Sequence, residues 1–148
     1  MIKQAIVVIG VLTASSAGAA DLVVKTSPHS VDVTVDRLQN AVTTAGATVF
    51  ARIDHAAGAE KIGSELTPTQ VLIFGNPKLG TPVIAADGAS GLDLPMRVVV
   101  FTGPDGATQL AYHAPGRLAE DHDVPADLPA INMMTGALDK LTNAAVAQ

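Results

Sequence analysis

The sequence predicts an α+β fold, a mostly antiparallel sheet covered by helices on one face. Three observations predict it. Residues 31–45 and 128–145 repeat apolar side chains every three or four positions, the spacing of one helical face. Several short segments either alternate or run continuously apolar, as strands do. Residues 103–106, Gly-Pro-Asp-Gly, join two such segments through turn chemistry that makes neighbouring strands antiparallel.

The elements follow in order. Val23-Val24 leads into Thr26-Ser27-Pro28, a first strand entering a turn. A helix over 31–45 sets Val31, Val35, Leu38, Val42 and Ala45 on one face, with Ser30 as cap, Asp32 at its positive end and Gly46 to stop it. The alternation of Val31, Val33 and Val35 suits a strand, but the longer period and the caps favour the helix. Residues 47–53 alternate Val49, Ala51 and Ile53 with Thr48, Phe50 and Arg52, a half-buried strand. Asp54 can cap a short helix closed by Gly63. Residues 70–74 form an apolar strand ending at Gly75. Asn76 caps one turn over 76–80 with Pro77 at its first position, and Pro82 makes the helix restart at Thr81 and run to Ala86. Residues 88–91 are loop, 96–102 and 107–113 form the hairpin, and 115–127 hold a loop with one short helix. The last helix is expected to be capped by Asp127. Strand, helix, strand, short helix, strand, helix, hairpin and long helix make a layered domain.

Residues 1–20 carry Lys3, an apolar run from Ala5 to Leu12 and small residues Ala17-Gly18-Ala19-Ala20, the pattern of a cleaved export signal. The expectation is a signal peptide at 1–20 and a single domain at 21–148, periplasmic or secreted, with no membrane insertion after cleavage. The chain has no cysteine, which excludes thiol catalysis, disulfides and C-x-x-C-H haem attachment. A net charge of −5 with scattered cations, three Phe, one Tyr and no Trp argues against nucleic acid as a partner.

Three islands carry the polar residues of interest: Ile53-Asp54-His55; Phe74-Gly75-Asn76-Pro77-Lys78 with Gly80-Thr81-Pro82; and Leu92-Asp93-Leu94-Pro95. Each ends an apolar run, where functional groups gather on a scaffold. Asp54 and His55 suit an acid–base pair or, more plainly, a helix cap and a structural histidine. The Asn76 and Lys78 stretch can form a small anion site or simply a turn, and it lacks the spacing of a nucleotide loop. Asp93 either caps neighbouring N–H groups or faces a cavity. His29, His55, His113 and His122 show no metal-ligand spacing, and no cofactor is expected. No Gly-x-Ser-x-Gly elbow occurs, and Met133-Met134 suits core filling.

In this order, about twenty residues apart, the islands resemble the bacterial Domain of Unknown Function 302 family, and the similarity runs from Lys25 to Val124. Ser30-Val31, Gly46 with Val49-Phe50-Ala51, Gly58-Ala59, Thr67-Pro68-Thr69 and Tyr112 before Pro115 echo it. The resemblance implies a TATA-binding-protein-like α+β fold and no established chemistry. His113 departs from the family, which more often carries Asn or Asp there, and residues 125–148 are more individual.

The leading expectation is therefore an exported domain enclosing an apolar pocket for a small apolar or amphipathic ligand. His55, Asn76, Lys78 and Asp93 are its ligand-binding residues, and the islands meet at one rim of the sheet. The first alternative is an interaction module that homodimerises through a sheet edge or the last helix. The second is a hydrolase or isomerase using Asp54, His55 and Asp93.

Overall fold

The structure, a computed structural model, describes residues 22–148. The expected signal peptide lies outside the described residues. The strands are β1 (Leu22–Ser27), β2 (Thr48–Asp54), β3 (Thr69–Gly75), β4 (Met96–Thr102) and β5 (Thr108–His113). The helices are α1 (Val31–Thr44), α2 (His55–Glu60), α3 (Pro77–Ala86), α4 (Arg117–Asp121) and α5 (Pro129–Val146), with a 3-10 turn over Gly88–Leu92. The strands form one sheet in the order β1-β5-β4-β3-β2, and every neighbouring pair is antiparallel.

Helix α1 forms where its spacing predicts. Ser30 Oγ accepts from Val33 N at 3.3 Å, and Val31, Val35, Leu38 and Val42 are buried. Gly46, at φ +73°, closes the helix: its N–H reaches Thr43 O and the next N–H, of Ala47, reaches Val42 O. Helix α5 buries Ile131, Met134, Leu138, Leu141 and Ala145, again on steps of three and four. Burying each such aliphatic side chain contributes about 1.5–3 kcal/mol. The two helices pack on Leu72, Phe74, Val98, Val100, Leu110 and Tyr112 of the sheet to make the main core.

Polar contacts fix these helices on the sheet. Lys25 Nζ on β1 donates to Asp139 Oδ1 at 2.7 Å, Thr142 Oγ1 at 2.8 Å and Asn143 Oδ1 at 2.6 Å. Arg37 donates to the carbonyls of Ala144, Ala145 and Ala147, placing a cation at the negative end of α5. At the other edge Gln70 donates to Asp32 and accepts from Arg52, which also pairs with Asp36.

A second, smaller core joins Val83 of α3 to Leu118, Val124, Ala130, Ile131 and Met134, with Leu79, Leu94 and Leu128 packed against it. Met96 packs against both cores, so the two meet at the start of β4.

Three sequence expectations need correction. Helix α3 is continuous from Pro77 to Ala86 with Pro82 inside it, instead of restarting at Thr81. Pro82 deprives one carbonyl, that of Lys78, of its donor, and both residues are exposed, so water can replace the lost bond. Helix α5 is entered from Leu128 with Pro129 in its first turn, and no side chain caps it, Asp127 included. Strand β2 does not keep a uniform period of two. A bulge between Val49 and Ala51 sends Val49 opposite Phe74 on the core side and Ile53 opposite Val71 on the other face.

Candidate functional site

At the seam between the two cores lies a cleft of about 300 Å³. Its walls come from five places in the chain. The end of β3 supplies Phe74 and Gly75; α3 supplies Pro77, Leu79, Gly80, Thr81 and Ile84; the entry to β4 supplies Leu94, Pro95 and Met96. Helix α5 gives Met134, Ala137, Leu138 and Leu141, and the start of β2 gives Ala47 and Phe50. Asn76 and Thr81 bring the polar side chains, and no charged residue lines the cleft among those described.

Local chemistry explains each wall. Asn76 caps α3, its Oδ1 accepting from Lys78 N at 3.0 Å, which leaves the amide N–H groups available toward a ligand. Gly75 lets β3 and the β4 entry approach closely, since a Cβ there would stand 3.3 Å from Pro95 Cβ and 3.6 Å from Phe50 Cε2. The Leu94–Pro95 peptide bond is cis. The β2 bulge turns Phe50 toward the mouth, where 57% of it is exposed.

The expected site residues divide. Asn76 lines the cleft. Lys78 is exposed on the first turn of α3 and is not among the lining residues. Asp93 lies at the same end of the sheet, since β4 begins with Met96 opposite Phe74. Its carboxylate, however, lines a different cleft of about 310 Å³ with Arg97, His113, Arg117 and Asp121. His55 is at the far end. Asp54 pairs with Gln70 while Thr48 pairs with Gly75, so His55 and Asn76 are separated by the length of the ladder. The expected meeting of all three islands at one rim is therefore overturned by the strand register. The same register keeps Asp54, His55 and Asp93 from forming one catalytic centre, and Asp54 instead caps α2 through Ala57 N at 2.9 Å.

Asp93 finds side-chain partners rather than backbone N–H groups. His122 Nε2 donates to its Oδ2 at 2.7 Å, and Arg97 donates to Oδ1 at 3.2 Å. The His122 side chain is only 10% exposed, and its Nδ1 lies 3.8 Å from Asp87 Oδ2. The His122 hydrogen bond above all holds the Asp93 carboxyl below its ordinary range; burial opposes it more than any single charge helps, and the charges of His122, Arg97 and Arg117 each add a smaller lowering. Asp87 is also lowered, chiefly by the N–H groups of Ala89 and Asp123. In the Asp93 cleft the guanidinium of Arg117 pairs with Asp121 at 2.8 Å and donates to His113 Nδ1 at 3.1 Å. Cations and carboxylates there neutralise one another. No group of three His, Asp or Glu among the described residues is arranged to hold a metal.

Sequence reasoning missed most of the apolar walls. Met134, Leu138 and Leu141 are core positions by spacing and also line the cleft, because α5 crosses the seam. The legible signal was Asn76 followed by Pro77, which announces a helix start where a strand ends. Nothing local announced the bulge that re-aims Phe50.

An antiparallel sheet under one helical layer, with an aliphatic cleft between the sheet end, α3 and α5, defines the class as an α+β domain with a candidate small-molecule site. The chain belongs to the family described as Domain of unknown function DUF302, whose model matches residues 23–141. A crystal structure of an uncharacterized conserved DUF302 protein from Bacillus stearothermophilus is similar, with a TM-score of 0.68 and 20% identity over 86% of this chain and 97% of that one. That likeness is one of fold. Among curated proteins, a 117-residue segment is 38% identical to Fluoride-specific ion channel FluC 1 of Brucella suis biovar 1 (strain 1330), covering 78% of this chain and 46% of that protein. The same identity and length hold for Fluoride-specific ion channel FluC 2 of Brucella melitensis biotype 1, of which 43% is covered. The matched segment thus spans less than half of these relatives. No helix among the described residues is long and apolar enough to cross a membrane.

Proposed function

We propose that this chain is an exported binding domain for a small, mostly apolar, uncharged ligand held in the cleft between α3, α5 and the end of β3. One observation carries the reading: a cleft of about 300 Å³ whose walls are aliphatic and aromatic apart from Asn76 and Thr81. That volume and make-up are those of small-molecule sites, and a cavity of about half the size accepts benzene, so a ligand of about ten heavy atoms fits. Asn76 offers amide donors at the mouth and Thr81 a hydroxyl. The complement is a ligand with one neutral acceptor, such as a hydroxyl or carbonyl, on an apolar body. Lys78, on the outer side of α3, and Asp93, engaged by His122, are better suited to solubility and packing than to this ligand.

Export rests on the pattern of residues 1–20. The channel activity in the names of the Brucella relatives belongs to proteins of which this chain matches less than half, and the ligand class follows from the cleft. The test is native mass spectrometry of the chain purified without denaturation, beside an Ala137→Trp variant that fills the cleft from α5. A neutral mass retained by the parent and lost in the variant is expected. A parent that is always bare, and that takes up neither decanol nor toluene, would remove the reading.

A further inference from the structure

The sheet has two faces, and the described helices cover one of them. The residue pairing places a single row across all five strands on the other: Val24, Ala111, Val99, Val71 and Ile53 stand side by side. Ile73 and Phe101 flank the row on β3 and β4. At the ends of the row Val24 is 49% exposed and Ile53 40% exposed; Val71 and Val99 are half-buried, and the small Ala111 between Val24 and Val99 is 2% exposed. In a sheet with one wet face these positions alternate to polar residues. Here residues 71–74 and 98–101 are continuously apolar, the pattern of strands buried on both sides. Among the described residues, the helices supply cover for only one.

We propose that a second copy of this chain covers the open face, so that two sheets pack face to face inside an outer pair of helical layers. Area supports a copy as the occupant. Five strands about 4.8 Å apart, with about five residues each at 3.3 Å, give a flat face of ~400 Å². Side-chain relief and the rim raise this toward the ~800 Å² per partner of a stable interface. Charge supports it as well. The chain is acidic, with a net charge of −5, yet the paired positions of this face carry no carboxylate; Arg97 and His113 lie toward one end. Two like-charged copies can therefore meet here without opposing their acids. Sheets packed this way settle about 10 Å apart with their strands nearly aligned. The contact uses the sheet face and leaves the β1 and β2 edges and the last helix aside. It is independent of the ligand cleft.

The test is light scattering coupled to size exclusion on the purified chain at about 100 μM, where an interface of micromolar affinity is mostly formed. Three proteins are compared: the parent, the double variant Val24→Lys with Ile53→Lys, and Met133→Lys on an exposed position of α5. Val24 and Ile53 are on edge strands and already exposed, so the fold survives their replacement, which circular dichroism and the unfolding midpoint verify. The expected result is twice the chain mass for the parent and Met133→Lys, and a single chain mass for the double variant, with dissociation at least tenfold easier. A parent that stays monomeric, including one that instead gathers on lipid vesicles, overturns the proposal. So does a dimer that persists in the folded double variant or is broken by Met133→Lys alone.

Discussion

His55 and Asn76 close opposite ends of the same pair of strands: the β2–β3 ladder runs from Asp54 opposite Gln70 to Thr48 opposite Gly75. At about 3.3 Å per residue the two side chains stand ~20 Å apart. They cannot touch one small ligand. Replacing His55, whose side chain is exposed, with Ala is therefore expected to change stability by less than about 0.5 kcal/mol and to leave cleft binding within a factor of two. Calorimetric titration with decanol measures this. A tenfold loss of affinity in a folded His55→Ala protein would place the site elsewhere.

Asn76 has two separable duties. Its Oδ1 caps α3, and its amide N–H groups remain for a ligand. Asn76→Asp keeps the acceptor and removes the donors, so the thermal midpoint should hold while decanol affinity falls about five- to tenfold. Asn76→Ala removes both and should also cost about 1 kcal/mol of stability. Equal affinities in all three proteins would take Asn76 out of the site.

The Asp93–His122 contact predicts a pH dependence. Asp93 binds its proton less tightly in the folded protein than at its ordinary value of 3.8. The stabilisation is thus complete above that value and is lost as pH falls through the lowered folded value. Thermal unfolding followed from pH 5 to pH 2 should show the parent losing more stability than Asp93→Asn. Asp87 and Asp139, lowered too, add to the fall in both proteins. Parallel curves would mean that the contact contributes nothing in solution.

Pro82 sits inside α3 although it cannot donate to Lys78 O. Pro82→Ala should restore that bond and stabilise the protein by about 1–2 kcal/mol, less than the full helix preference because proline also restricts the unfolded chain. Denaturant unfolding gives the value. A destabilised Pro82→Ala protein would show that the proline ring packs usefully.

Local chemistry was legible in the sequence. Ser30, Asp54 and Asn76 cap the helices they precede, Gly46 ends α1, and the apolar spacing of α1 and α5 falls on their buried faces. The hairpin at residues 103–106 forms between β4 and β5. What stayed hidden depends on distant partners. The β2 bulge arises from pairing with β3, the His122–Asp93 bond spans 29 residues, and the cleft exists only because α5 crosses between two cores. The continuous apolar runs of β3 and β4 were visible throughout, yet their outward halves acquire meaning only once the helices are seen to lie on one side.

The claim that the seam between the cores takes an apolar molecule is tested most directly by methyl-resolved NMR during titration with decanol. Shifts confined to the methyl groups of Leu94, Met96, Met134, Ala137, Leu138 and Leu141, and abolished by Ala137→Trp, are the predicted result. No shifts, or shifts centred on Val24, Ile53 and Val99 across the open sheet face, would contradict it.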